Sequence, residues 1–238
     1  NVVFITADAA ALSLKKFKKD FPERFINVGV AEQTMVLLAT GLAMCGKNVF
    51  VYSIIPFITQ RALEHIKVNI CSMNLPVTIV GCGAGLSFGF DGPTHHGNQD
   101  ISAMKSMPEM KIFSPSDAMS SMMSAEESYK SSGPAYVRLD KGKFEKTYTE
   151  KDNFSTGIKV LTNLSENNII STGFMTTRAL EVSKLLSKKG IDVGVVDIGV
   201  IKPINENEIV DIAKISESIF VLEEHSVVGG LSTSISDV

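Results

Sequence analysis

The sequence predicts an α/β protein of two domains, each a mostly parallel sheet flanked by helices. Short β-branched runs alternate with segments of helical period along the whole chain. Those runs are mainly apolar, and strands alternating with helices imply parallel sheets covered on both faces. The alternation is interrupted once, by a polar stretch holding Lys143, Glu145, Lys146, Glu150, Lys151 and Asp152, and then restarts. The expected division is a domain over residues 1–145, a linker over 146–154 and a second domain over 155–238. At 238 residues, the chain is long enough for two cores.

Residues 2–6 and 25–30 read as buried strands, the second running into Gly29 and Ala31. Residues 32–45 place Met35, Leu38, Leu42 and Cys45 at helical spacing, with Gly46 as the stop. A strand at 48–53 leads to a helix over 57–73 with Ala62, Ile66, Ile70 and Met73 on one face and His65 on the charged side. A strand at 77–82 is followed by a glycine-rich loop over 83–97 and a short helix ended by Pro108. A strand at 111–114, a helix N-capped by Ser116 and a strand at 135–139 complete this series. Beyond the linker the order is strand 168–171, helix 176–189 stopped by Gly190, strand 192–200, helix 205–214 and strand 218–222.

Composition narrows the function. With 23 Lys and Arg against 26 Asp and Glu, net charge −3 and no basic stripe, nothing suggests nucleic acid or anionic lipid as a partner. The longest apolar stretch, residues 49–58, is broken by Ser53 and Pro56 and is too short for a membrane span. Cys45, Cys71 and Cys82 form no C-x-x-C pair and are odd in number, which points to reduced thiols and a cytoplasmic location. No initiator Met precedes the first strand, so the chain is expected to lack its true start, and its end is equally open.

Two places concentrate chemistry. The loop Gly81-Cys-Gly-Ala-Gly-Leu-Ser-Phe-Gly89 follows a strand, yet Leu86 and Phe88 stand where a G-x-G-x-x-G fingerprint requires glycine. Just after it, Asp91-Gly-Pro-Thr-His95-His96-Gly97 puts a carboxylate and two imidazoles into one turn-rich segment. Adjacent His95 and His96 diverge and have no H-E-x-x-H or cysteine partners, which disfavours zinc. A plain surface turn and a ligand-handling loop both fit these residues. Glu32 opens an otherwise apolar helix. It either complements the helix dipole or, withdrawn from water, shares a proton with a ligand. His225, in Glu223-Glu-His-Ser-Val-Val-Gly-Gly230, fits a structural cap as well as a functional group.

Taken together, Asn27-Val-Gly-Val-Ala-Glu32-Gln33, then Pro56-Phe57 and Arg61, then Asp91-Gly-Pro-Thr-His95 resemble the pyrimidine-binding domain of the transketolase family. Val195-Val-Asp-Ile-Gly-Val-Ile-Lys-Pro203 and the Leu222–Gly230 segment resemble its C-terminal domain, so the resemblance covers nearly the whole chain. The nearest form is the separate C-terminal subunit of split transketolases, with similarity also to deoxyxylulose-phosphate synthases.

The resemblance implies thiamine diphosphate and assigns roles residue by residue. Glu32 matches the glutamate that hydrogen-bonds the aminopyrimidine ring nitrogen, and Phe57 the aromatic that stacks on that ring. His95 and Asp91 match the pair that contacts donor-sugar hydroxyls, with Glu32 and His95 as the catalytic residues and Arg61 also facing substrate. Lys141 stands where relatives place a phosphate-binding arginine; it supplies charge without the bidentate fork. His96 stands where many relatives have glutamine.

No G-D-G occurs, the motif by which the family holds the diphosphate through Mg²⁺ or Ca²⁺. The resemblance therefore implies a diphosphate-binding N-terminal partner subunit that holds the metal, and assembly into a heterotetramer. The implied reaction moves a two-carbon ketol unit between sugars or sugar phosphates. Decarboxylative condensation of pyruvate, as in the synthases, and a catalytically silent assembly subunit are the alternatives.

Overall fold

A computed structural model describes residues 1–9, 12–142 and 144–238; Lys143 of the polar stretch lies outside them. Its strands are β1 (Val2–Thr6), β2 (Phe25–Asn27), β3 (Asn48–Ile54), β4 (Val77–Cys82), β5 (Lys111–Phe113), β6 (Ala135–Leu139), β7 (Ile158–Val160), β8 (Asn167–Ser171), β9 (Gly194–Ile198), β10 (Val200–Lys202) and β11 (Ser218–Leu222). The first sheet has the order β10-β5-β6-β4-β3-β1-β2 and the second β11-β8-β9-β7. Strands β1 to β6 pair in parallel, as do β11, β8 and β9. The antiparallel pairs are β10 with β5 and β7 with β9.

Register explains the apolar runs. Ile26, Ile5, Val51, Ile79, Tyr136 and Ile112 stand opposite one another in a single row across six strands. All but Ile26 are fully buried. Such a row is covered only if helices lie over the sheet, which is why the strands carry no polar alternation. The main apolar cluster does not stop at the polar stretch: Val3, Val49 and Ile112 belong to the same core as Ile170, Val196, Ile201 and Leu231.

Several expectations change. The helix expected over 57–73 is three pieces, Ile55–Thr59, Leu63–His65 and a π-helical turn Ile66–Cys71. Ala62, Ile66 and Ile70 are buried as predicted, but Met73 is exposed. Asp117, not Ser116, caps the helix Ala118–Lys130, because its carboxylate accepts the Ser120 N–H at 2.7 Å while the Ser120 hydroxyl bonds back. The strand expected over 192–200 divides at Gly199, where the Phe154 ring leaves no room for a Cβ, and β10 crosses to the first sheet. Helices Leu14–Asp20 and Leu231–Ser236 and strand β7 carry no pattern that the sequence reading detected.

The polar stretch is anchored at its middle, while Glu145, Lys146, Glu150 and Lys151 stay exposed. Thr147 and Tyr148 donate their N–H groups to Asp117 at 2.7 and 2.8 Å, and the Tyr148 hydroxyl donates to buried Asp197 at 2.9 Å. Asp197 also accepts from Ser116 at 3.0 Å and from Thr176. One carboxylate thus joins both sheets and the segment between them. Burial pushes its carboxyl up to about 6 despite the hydroxyl donors Thr176, Tyr148 and Ser116, while Asp117, less deeply buried and bonded by Ser120, Tyr148 and Thr147, is held below the usual range.

Candidate active site

Glu32 is placed by the turn between β2 and the helix it opens. Asn27 accepts the N–H groups of Asp8 and Gly29, each at 3.0 Å, tying the ends of β1 and β2 together. Gly29 turns with φ +73°, a conformation that a side chain disfavours. The helix Glu32–Met44 follows, and the Glu32 side chain, 1% exposed, points inward at its first turn. Its Oε2 accepts from Arg61 Nη1 at 2.7 Å and its Oε1 from the Ser53 hydroxyl at 3.3 Å. The second bond is long, so Oε1 is the less committed oxygen.

Arg61 is fixed from two sides. Gln33, the residue after the acid, donates its side-chain amide to the Arg61 carbonyl at 3.1 Å. The guanidinium lies over the Phe57 ring, 4.4 Å from its centroid. Half-buried Phe57 in turn meets His95 edge-on at 4.9 Å, and His95 meets Phe88 at 5.8 Å. Lys141 closes the series with its ammonium 4.7 Å over Phe88. Glu32, Arg61, Phe57, His95, Phe88 and Lys141 therefore form one continuous line of contacts. Residues distant in sequence meet because the ends of β3, β4 and β6 lie side by side, and ligands of open parallel sheets bind at the carboxyl ends of strands.

The loop carrying His95 is closed at its base. Gly85 and Gly97 exchange backbone hydrogen bonds of 2.7 and 2.9 Å, and Gly83 donates to Leu139 of β6 at 2.8 Å. Within the loop His96 Nε2 reaches the Gly89 carbonyl at 3.0 Å, and Thr94 bonds His95 Nδ1 at 3.0 Å. His96 thus braces the loop internally. Asp91 ends the 3₁₀ turn Gly89–Asp91 and is exposed, in the same loop as His95 but outside the line of contacts.

Ser53, Gln33, Phe88 and the support beneath the loop were not singled out from sequence. Ser53 left a trace, as the one serine in an apolar run. The support is Arg138, fully buried, whose guanidinium bonds Asp100 at 2.8 Å and the Gly97 carbonyl at 3.0 Å. Burial works against its charge, but Asp100 and Asp140 more than offset this and hold Arg138 ionised. His225 is fully buried with Nε2 4.0 Å from Asp100, and His65 is half-buried rather than exposed. Among the described residues, no group of three or more His, Cys, Asp or Glu is placed to hold a metal ion. No helix there is long and apolar enough to cross a membrane.

The chain matches the pyrimidine-binding domain of transketolase over residues 1–146 and the transketolase C-terminal domain over residues 158–238. Over its whole length it is 30% identical to a subunit of the apulose-4-phosphate transketolase of Actinobacillus succinogenes, spanning 77% of that protein. It is 33% identical over 99% of its length to 1-deoxy-D-xylulose-5-phosphate synthase of Halothermothrix orenii, of which it spans 37%. A solved split-gene transketolase, described as an inactive beta4 tetramer, superposes with a TM-score of 0.88 at 33% identity, covering 99% of this chain and 77% of that one. The chain belongs to the transketolase family and carries its pyrimidine-binding and C-terminal domains.

Proposed function

We propose that this chain is the pyrimidine-binding subunit of a two-chain, thiamine-diphosphate-dependent transketolase, moving a two-carbon ketol unit from a ketose or its phosphate to an aldose or its phosphate. The observation that carries the reading is the unbroken line from the buried Glu32 carboxylate to His95 and Lys141.

The residues suit an aminopyrimidine. Glu32 is withdrawn from water and keeps one oxygen whose sole hydrogen-bond partner among the described residues is a hydroxyl at 3.3 Å, beside a half-buried aromatic ring. Thiamine diphosphate, when bound, supplies a carbon nucleophile and an electron sink for breaking a bond next to a carbonyl. Glu32 would hydrogen-bond the pyrimidine ring nitrogen, with the proton shared between carboxyl and nitrogen, strongly because the site is dry. Phe57 provides a flat apolar platform. His95 and Asp91 bind donor hydroxyls, with His95 holding or releasing a proton at its ring nitrogen. Arg61 spends one N–H on Glu32 and keeps further donors for substrate, and Lys141 offers a point charge to a phosphate.

The diphosphate and its Mg²⁺ or Ca²⁺ belong, in this reading, to a partner subunit carrying G-D-G, and the assembly is a heterotetramer in the cytoplasm. The apulose-4-phosphate transketolase relative, itself one subunit of its enzyme, and the split-gene relative, an inactive tetramer, support the need for a second chain. The synthase relatives keep pyruvate condensation as the competing chemistry. The reconstituted pair is to be offered fructose 6-phosphate or pyruvate as donor. Consumption of the ketose with an aldose acceptor is expected; consumption of pyruvate with release of CO₂ would assign the synthase reaction instead.

A further inference from the structure

The second domain reaches the loop that carries Asp91 and His95, and does so at the loop's hinge. Between β11 and the helix Leu231–Ser236, the segment Glu223–Ser226 touches both strands of the loop base. The Glu224 carboxylate accepts the Leu86 N–H at 3.2 Å and fills the space above Gly85, where a Cβ would collide with it. Across the base, Ser226 donates its N–H to the Asn98 carbonyl at 2.8 Å. Arg138 links the two sides: one nitrogen, Nη2, donates to the Glu224 carbonyl at 2.8 Å and to the Gly97 carbonyl at 3.0 Å. The His225 side chain is buried beside Asp100, its Nε2 4.0 Å from the carboxylate. Gly229 lies against Ser102, and Lys105 donates to the Gly230 carbonyl at 3.3 Å, so the whole turn is seated on the helix Asp100–Lys105 that leaves the loop.

Above this base Leu86, Phe90, Asp91 and Thr94 are exposed, and the loop is held by its own turns, the His96–Gly89 bond and the packing of His95 on Phe57 and Phe88. Gly85, with φ +56°, is a pivot that other residues adopt only with strain. A rotation there would carry His95 away from Phe57. We infer that Glu224 is a positioning residue for His95: the second domain, beyond any role in assembly, fixes the substrate-facing loop through one carboxylate and one buried arginine. This rests on the reading of His95 as a substrate contact.

The test uses the reconstituted pair with Glu224→Ala, Glu224→Gln and His95→Ala, plus amide exchange of residues 86–96 in the same complex. Glu224→Ala is expected to lower kcat about tenfold, since a shift of an ångström in a reacting group costs up to about a hundredfold. Thiamine diphosphate affinity stays unchanged and Leu86 exchanges faster. Glu224→Gln, which keeps an acceptor oxygen, stays near wild type, and Glu224→Ala adds no further loss to His95→Ala. Unchanged kcat and exchange in Glu224→Ala, or a full further loss on top of His95→Ala, would overturn the inference. If His95→Ala alone leaves turnover intact, the reading of His95 fails, and the exchange of Leu86 still decides whether Glu224 holds the loop. Should Glu224→Ala not fold, Glu224→Asp, too short to reach Leu86, takes its place with the same expectations.

Discussion

Removing Arg61 strands the acid at the centre of the site. Among the described residues the Glu32 carboxylate has two side-chain partners, Arg61 at 2.7 Å and Ser53 at 3.3 Å, and its side chain is 1% exposed while that of Arg61 is 44% exposed. Two unit charges about 4 Å apart attract by about 4 kcal/mol at an effective dielectric of about 20. Stranding one partner of a fully buried pair costs about 3–5 kcal/mol. Because Arg61 is nearly half in water, solvent entering its place recovers part of this, leaving a loss of about 2 kcal/mol. For a chain of this size that lowers Tm by about 4–8 °C. Thermal unfolding followed by circular dichroism, on wild type, Arg61→Ala, Glu32→Gln and the double variant, measures it. The double variant, having no stranded charge, is expected to recover most of the loss. An Arg61→Ala protein that melts within about 1 °C of wild type, well inside the expected shift, would refute the reasoning.

Other tests address the core and the assembly. Asp197, with its carboxyl raised to about 6 in the folded protein, binds its proton more tightly folded than unfolded. Its contribution is fully favourable below about pH 4 and is lost as pH rises through about 6, a loss of about 3 kcal/mol by pH 7. Denaturant unfolding of wild type and Asp197→Asn should therefore converge by about that amount between pH 4 and pH 7; parallel profiles would remove the titration from Asp197. Titration calorimetry of this chain alone with thiamine diphosphate and Mg²⁺ should give no saturable heat under conditions that saturate the mixed pair. Tight binding by the single chain would contradict the two-chain site.

Much of the fold was legible because it is local. Strands β1, β4, β6 and β11 and the helix opening at Glu32 are predominantly apolar patterns, and they form as those patterns dictate. What escaped depends on contacts between distant residues. The division at Gly199 is imposed by Phe154, and the shift of the cap from Ser116 to Asp117 by the demand of Asp197 for the Ser116 hydroxyl. Within the candidate site, Glu32, Phe57, Arg61, Asp91, His95 and Lys141 could be named from the order of motifs along the chain. That Arg61 would hold Glu32 could not, since 29 residues and a broken helix separate them. The clamp by Glu224 and Arg138 spans 86 positions between a strand end and a turn, and neither residue leaves a periodic signal.

Glu32 is the acid proposed to engage the cofactor's pyrimidine. The most direct test of that role is the turnover of a ketose donor by the reconstituted pair with Glu32→Ala, with folding and assembly checked by circular dichroism and light scattering. A fall on the order of a hundredfold or more, the scale of a lost acid–base partner, is expected in an intact assembly. Turnover at the wild-type rate would show that the line of residues from Glu32 to Lys141 is structural and that this chain is a silent assembly subunit.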